Sequence, residues 1–165
     1  MKRQKNVILF LPILITGLLL AGCYNSDEVI EVPSTKTESS TPEIVMYKSP
    51  SCDCCSGWAK HLREAGFAVV ENKREDMDAI KAKYGVPEKL ASCHTATVDD
   101  YVIEGHVPAA DVMRLLKERP AGVVGLTAPG MPMQSPGMQE KGLPPKNYNV
   151  LAFDKDGRSH VFNSY

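Results

Sequence analysis

Three cysteines fall within four residues in Ser51-Cys52-Asp53-Cys54-Cys55. Thiolates packed so closely can hold a soft metal ion or act as redox nucleophiles, and they converge only where the chain turns tightly. A fourth cysteine, Cys93, is followed directly by His94. A further group of soft donors, Met131, Met133 and Met138, lies in Pro129-Gly130-Met131-Pro132-Met133-Gln134-Ser135-Pro136-Gly137-Met138. Methionine in a polar loop punctuated by proline and glycine is not filling a core by helical periodicity. Thioethers are neutral, soft ligands that favour Cu(I), and a proline-stiffened loop presents them with little ordering cost. The other candidates have plainer readings: His61 and His160 as solvent-exposed, His106 as a residue leading into a helix, and Trp58 as core.

The elements that must position these residues can be read from periodicity and breakers. Ile44 to Tyr47 is a short buried-strand run stopped by Ser49-Pro50. A helix from about Asp53 to Ala65 follows, with Cys55, Trp58, Leu62 and Ala65 on one face and Gly66 at its C-terminal cap. The cysteines thus occupy a strand-to-helix loop and the first helical turn, where free N–H groups and the positive dipole end lower thiol pKa values. Phe67 to Val70 reads as a second strand, and Met77, Ile80 and Tyr84 share one face of a second helix that Gly85 ends. Thr95 to Val98 and Tyr101 to Glu104 pair as a hairpin around Asp99-Asp100. Pro108 opens a third helix with Val112, Leu115 and Leu116 inward. This α/β order, β-α-β-α-β-β-α, matches the thioredoxin fold. There the segment before the third strand packs on the active-site loop and usually carries a cis-proline. Here Ser92-Cys93-His94-Thr95 holds that place, which brings Cys93, and His94 with it, beside Cys52, Cys54 and Cys55. A C-terminal extension adds the Met loop, Gly130 to Gly142, and a β-hairpin from Tyr148 to Phe162 turning at Asp154-Lys155-Asp156-Gly157.

The first 22 residues have a different character. Lys2, Arg3 and Lys5 precede an apolar run, Val7 to Ala21, too short for a transmembrane helix of about 20 residues and suited to a secretory signal. The run ends in Leu20-Ala21-Gly22-Cys23, which resembles the bacterial lipobox, whose cysteine is lipidated and becomes the first mature residue. The expectation is a signal peptide at 1–22, a lipidated Cys23 opening a flexible Ser/Thr/Pro-rich tether to residue 42, and one domain over 43–165. That places the domain outside the cytoplasm, lipid-anchored to a bacterial membrane and facing the periplasm. Tyr24 after the cysteine gives no signal for inner-membrane retention. Composition agrees with one globular domain. Of 165 residues 43% are hydrophobic and 24% charged, five cysteines are too few for a disulfide-dense mini-protein, and a net charge of −1 is no nucleic-acid footprint.

Cys52-Asp53-Cys54-Cys55, Ser92-Cys93-His94-Thr95-Ala96, Glu104-Gly105-His106-Val107-Pro108-Ala109, Gly125-Leu126 and the Met loop, in this order from about residue 44 to 165, resemble the CopG family of periplasmic copper-resistance proteins. The resemblance implies a thioredoxin-like domain whose C-terminal extension helps to bind copper. It also implies a cysteine-bridged, multinuclear copper cluster beside the C-x-C-C motif, a role in interconverting Cu(I) and Cu(II), and partners among copper efflux components. The expected ligands are Cys52, Cys54, Cys55, Cys93, Met131, Met133, Met138 and His94. Two other readings stay open: a thiol-disulfide oxidoreductase using Cys52 and Cys55 as a C-x-x-C pair, and a structural zinc site of four thiolates or three thiolates and an imidazole. The extra Cys54 and the missing cis-proline count against the first. The three-plus-one spacing, unlike the usual two pairs, counts against the second.

Overall fold

The computed structural model describes residues 42–140 and 142–165. The expectations for the signal segment, Cys23 and nearly all of the tether fall on residues 1–41, outside the described part. The elements are β1 (Glu43–Lys48), α1 (Asp53–Glu64), β2 (Ala68–Lys73), α2 (Met77–Lys83), β3 (His94–Val98), β4 (Tyr101–Glu104), α3 (Ala109–Glu118), β5 (Val123–Thr127), β6 (Asn149–Asp154) and β7 (Ser159–Ser164). They form one seven-stranded sheet in the order β2-β1-β3-β4-β5-β6-β7. β1 and β2 are parallel and β3 runs antiparallel to β1, so the first four strands are those of a thioredoxin-like domain. Among the described residues no helix is long and apolar enough to cross a membrane.

Alternation along the strands sends side chains to two separate clusters. Ile44, Met46, Ala96, Val98, Ile103, Leu126, Val150 and Ala152 pack with Trp58, Ala59 and Leu62 of α1 and Val112 and Leu115 of α3. Val102 and Phe153 point the other way and meet Val86 and Leu90. Burying a Leu- or Phe-sized side chain is worth roughly 1.5–3 kcal/mol, so the α1–α3 side carries most of the apolar stabilisation. The first turn of α1 is therefore rigidly anchored through Trp58, which is fully buried.

Two expectations need correction. The extension is not a loop and a hairpin alone, because β5 precedes the Met loop and pairs parallel to β4 after the α3 crossover. Its sequence, Val-Val-Gly-Leu-Thr, is broken by Gly125, and a Cβ there would meet the Val102 carbonyl and come within 2.8 Å of the Phe153 ring. That close approach demands glycine but hides the strand signal. Ala65 is exposed rather than on the inner face, since α1 ends one residue earlier and Ala59 takes the inward place.

Candidate metal centre

The chain leaves β1 at Lys48, turns through a Cys52 N–H to Ser49 carbonyl bond of 3.1 Å, and enters α1 at Asp53. Cys52 is the N-cap and contributes no side-chain cap, so its sulfur is not engaged by the helix end. Cys52 and Cys55 are joined as a disulfide across one helical turn, with Cα atoms 5.5 Å apart, while Cys54 and Cys93 are free thiols. The Cys54 Sγ stands 3.5 Å from the Cys52 Sγ. Beneath the turn lies Lys48, only 3% exposed, whose Nζ donates to the Cys52 carbonyl at 3.0 Å and to Ser56 Oγ at 2.5 Å. Its counter-charge is Glu71 on β2, at 3.5 Å.

Across from this turn, the start of β3 delivers Cys93. The sulfurs of Cys52, Cys54, Cys55 and Cys93 all lie within 4.8 Å of one another, as the element order led one to expect. A second set, Cys55, Cys93, His94 and His106, meets the same limit. His94 is completely buried, packs against Trp58 in a tilted arrangement with centroids 4.3 Å apart, and brings Nδ1 to 3.4 Å from the Cys93 sulfur. Its Nε2 is buried without a hydrogen-bond partner. Burial, reinforced by the neighbouring His106, drives its pKa well below the ordinary imidazole value, so the ring is neutral and keeps a lone pair.

His106 precedes α3 as expected, but its side chain also reaches the centre. It is fully buried and its Nε2 lies 3.0 Å from the Cys93 sulfur. Its Nδ1 faces the Pro136 carbonyl at 2.6 Å, and because a carbonyl can only accept, Nδ1 carries the proton. Burial lowers its pKa, which leaves Nε2 unprotonated and aimed at Cys93. A histidine oriented through its far nitrogen onto a backbone carbonyl is the arrangement that metal-binding imidazoles usually have. Burial, and then the nearby Cys54, push the Cys93 thiol up to about 12. Without a metal, Cys93 is thus a protonated thiol between two neutral imidazoles. His61 also departs from its plain reading: it is half-buried, and its Nε2 accepts the Ala109 N–H at 3.0 Å, capping α3. His160 is exposed, as expected.

The Met loop is tied to this centre at two places. Gly130 donates to the Ala91 carbonyl at 3.1 Å and forms a parallel bridge with Ser92, next to Cys93. Further on, Pro136 holds His106, and Gly137 packs onto the backbone of Cys54, Gly57 and Trp58. Met138 follows that contact and is half-buried, whereas Met131 and Met133 are 57% and 70% exposed. The donor set therefore consists of soft sulfurs and neutral imidazoles without a carboxylate, which fits a soft or borderline transition metal and not a hard cation.

Comparison with known proteins is consistent with this geometry. A family described as "Protein of unknown function, DUF411" matches residues 90–138, the stretch from the approach to Cys93 through Met138. No curated protein matches the chain. Two solved structures, described as copper resistance protein copG in form 2 and in form 1, each share 39% sequence identity with the chain at a TM-score of 0.69. The matches cover 75% and 76% of this chain and 98% of each of those chains. With that identity across nearly the whole of the solved relatives, the chain belongs to the CopG family.

Proposed function

We propose that the protein binds copper outside the cytoplasm through Cys52, Cys54, Cys55 and Cys93, with His94 and His106 as imidazole ligands, and acts in copper resistance by interconverting Cu(I) and Cu(II). The observation that carries this reading is a pair of overlapping clusters, the four sulfurs and the set Cys55, Cys93, His94 and His106, which share Cys55 and Cys93. Copper, when bound, supplies the one-electron couple. Once an external thiol or other two-electron reductant has opened the Cys52–Cys55 disulfide, the chain supplies two kinds of donor, thiolates that favour Cu(I) and imidazoles that also suit Cu(II). Pro136 fixes the His106 tautomer, Trp58 packs against the His94 ring, and the Lys48 ammonium offsets part of the negative charge that several thiolates bring together. Copper resistance is the property for which the two solved relatives are named.

The Cys52–Cys55 disulfide favours a second reading, a thiol-disulfide oxidoreductase. Against it, a thiol, Cys93, stands where a peptide-binding proline belongs. Metal analysis and absorption spectroscopy on anaerobically purified, reduced protein separate these readings. Copper with thiolate charge-transfer bands is expected. Stoichiometric zinc without copper overturns the copper reading in favour of a structural site, and disulfide exchange with protein substrates but no metal uptake favours the oxidoreductase.

The location rests on Leu20-Ala21-Gly22-Cys23. Lipidation of Cys23 anchors the domain to a bacterial membrane on its periplasmic face, within reach of copper efflux components. Cys23→Ser is expected to leave an unprocessed precursor or release the protein from membranes. Normal processing and unchanged membrane partitioning of that variant would refute the anchor.

A further inference from the structure

Glu104 is the most deeply buried carboxylate beside the metal centre, and nothing in the proposed chemistry uses it. It ends β4 with its side chain 0% exposed, against 14% for its partner Lys81. Its Oε1 accepts the Ser92 N–H at 2.6 Å and the Lys81 ammonium at 2.5 Å, and its Oε2 accepts the Thr95 hydroxyl at 2.7 Å. Its backbone carbonyl accepts the Ala128 N–H at 3.0 Å, at the root of the Met loop. Ser92, whose amide it holds, in turn bonds the Gly130 carbonyl through its hydroxyl. One side chain therefore grips the chain on both sides of Cys93 and His94, and its backbone grips the loop that shields them.

We propose that Glu104, together with Lys81, is a positioning residue for Cys93, holding Ser92-Cys93 against the Cys52–Cys55 turn where a thioredoxin fold would use a cis-proline. A proline fixes such a segment through its own ring. Ser92 and Cys93 have ordinary flexible backbones, so their path must be set from outside. A buried carboxylate does this because it offers two directional acceptors at once, to an amide and to a hydroxyl, which no apolar side chain can. A buried ion pair is in contrast a poor device for stability alone, since apolar residues of similar volume often fold as well or better. The pair therefore earns its place through geometry. The inference rests on the reading of Cys93 as part of the metal centre.

The test uses the full chain in two variants, Glu104→Gln and the double variant Glu104→Met with Lys81→Met. The first readout, on copper-free protein, is the rate of Cys93 alkylation by iodoacetamide relative to Cys54, mapped by peptide mass. Both variants are expected to melt cooperatively, with the double variant melting below the parent because the Ser92 amide and the Thr95 hydroxyl lose their acceptor. Relative alkylation of Cys93 is expected to rise about tenfold, the opening expected when a hydrogen bond to a charged group is lost. The second readout is the copper absorption spectrum, expected to be altered in both variants. Parent-like alkylation ratios in either folded variant overturn the proposal. So does a double variant that no longer melts cooperatively, because the pair would then be holding the fold itself. A parent protein that takes up no copper would sink the copper reading alone, since the alkylation ratio still judges the positioning role.

Discussion

Gly137 links the Met loop to the cysteine-bearing helix, and its replacement by alanine tests whether that docking supports the centre. Gly137 adopts φ +86°, and a Cβ there would meet the Trp58 amide nitrogen, with Gly57 C at 2.8 Å and Cys54 O at 2.9 Å. All three obstacles are backbone, so no side chain can swing aside. Gly142 in the same extension has φ +88° with nothing within 4 Å, so Gly142→Ala carries only the left-handed backbone cost, about 1–2 kcal/mol. In Gly137→Ala either α1 or the loop must move as well. α1 is pinned by fully buried Trp58, a side chain of the kind whose removal typically costs about 3–5 kcal/mol. The loop is held here by one hydrogen bond, Pro136 to His106, and by its contact on α1, about 1–2 kcal/mol together. The loop therefore yields, and its docking energy caps the extra cost. Gly137→Ala should lose about 2–4 kcal/mol against about 1–2 for Gly142→Ala, a difference of roughly 3–8 °C in melting temperature. Undocking also strips His106 of its orienting carbonyl, so copper affinity in Gly137→Ala should fall at least about tenfold while Gly142→Ala stays near the parent. Differential scanning fluorimetry and competition against a Cu(I) chelator read both effects. Equal melting temperatures and equal copper affinities for the two variants would refute the reasoning.

Cys93→Ser should lose more than a quarter of the bound copper, because sulfurs converging on one site act as a unit; metal content after gel filtration checks this, and full retention would break the cross-fold contact. Apo-protein stability should fall as pH drops from about 7.5 to 5.5, because His94 and His106 are held neutral in the fold with lowered pKa values, whereas the unfolded chain protonates them near 6.5 and so binds more protons. His106→Gln should flatten that dependence in thermal melts, and a parent protein with no acid-side decline would contradict the assignment. Replacing Met131, Met133 and Met138 together by leucine keeps most of the apolar volume, so the apo melting temperature should shift little while Cu(I) affinity falls; unchanged affinity would leave the loop as a shield rather than a ligand source.

Much of this protein is legible from its chain alone because the relevant signals are local. The strand run Ile44–Tyr47, the cysteines before an amphipathic helix and the hairpin around Asp99-Asp100 each depend on neighbours a few residues apart, and all three appear in the structure. Their order was enough to place Cys93 opposite Cys52, Cys54 and Cys55. The role of His106 was hidden by its position before Pro108, which reads as a lead into α3, although a signal existed. The β3–β4 register pairs Thr95 with Glu104, and continuing it by two residues sets His106 opposite Cys93. Other features left no local trace. Strand β5 is interrupted by a glycine whose reasons are the Val102 carbonyl of β4 and the Phe153 ring arriving from β6. His61 looks like a surface residue until α3 presents the Ala109 amide to it. The Glu104 carboxylate reads as an ordinary strand end until Ser92, Thr95 and Lys81 close around it. Spacing along the chain determined which residues could share a turn or a face. Which of them meet across the sheet, and which nitrogen of His106 faces the sulfur, was decided by tertiary packing, because burial and hydrogen-bond partners come from segments distant in sequence.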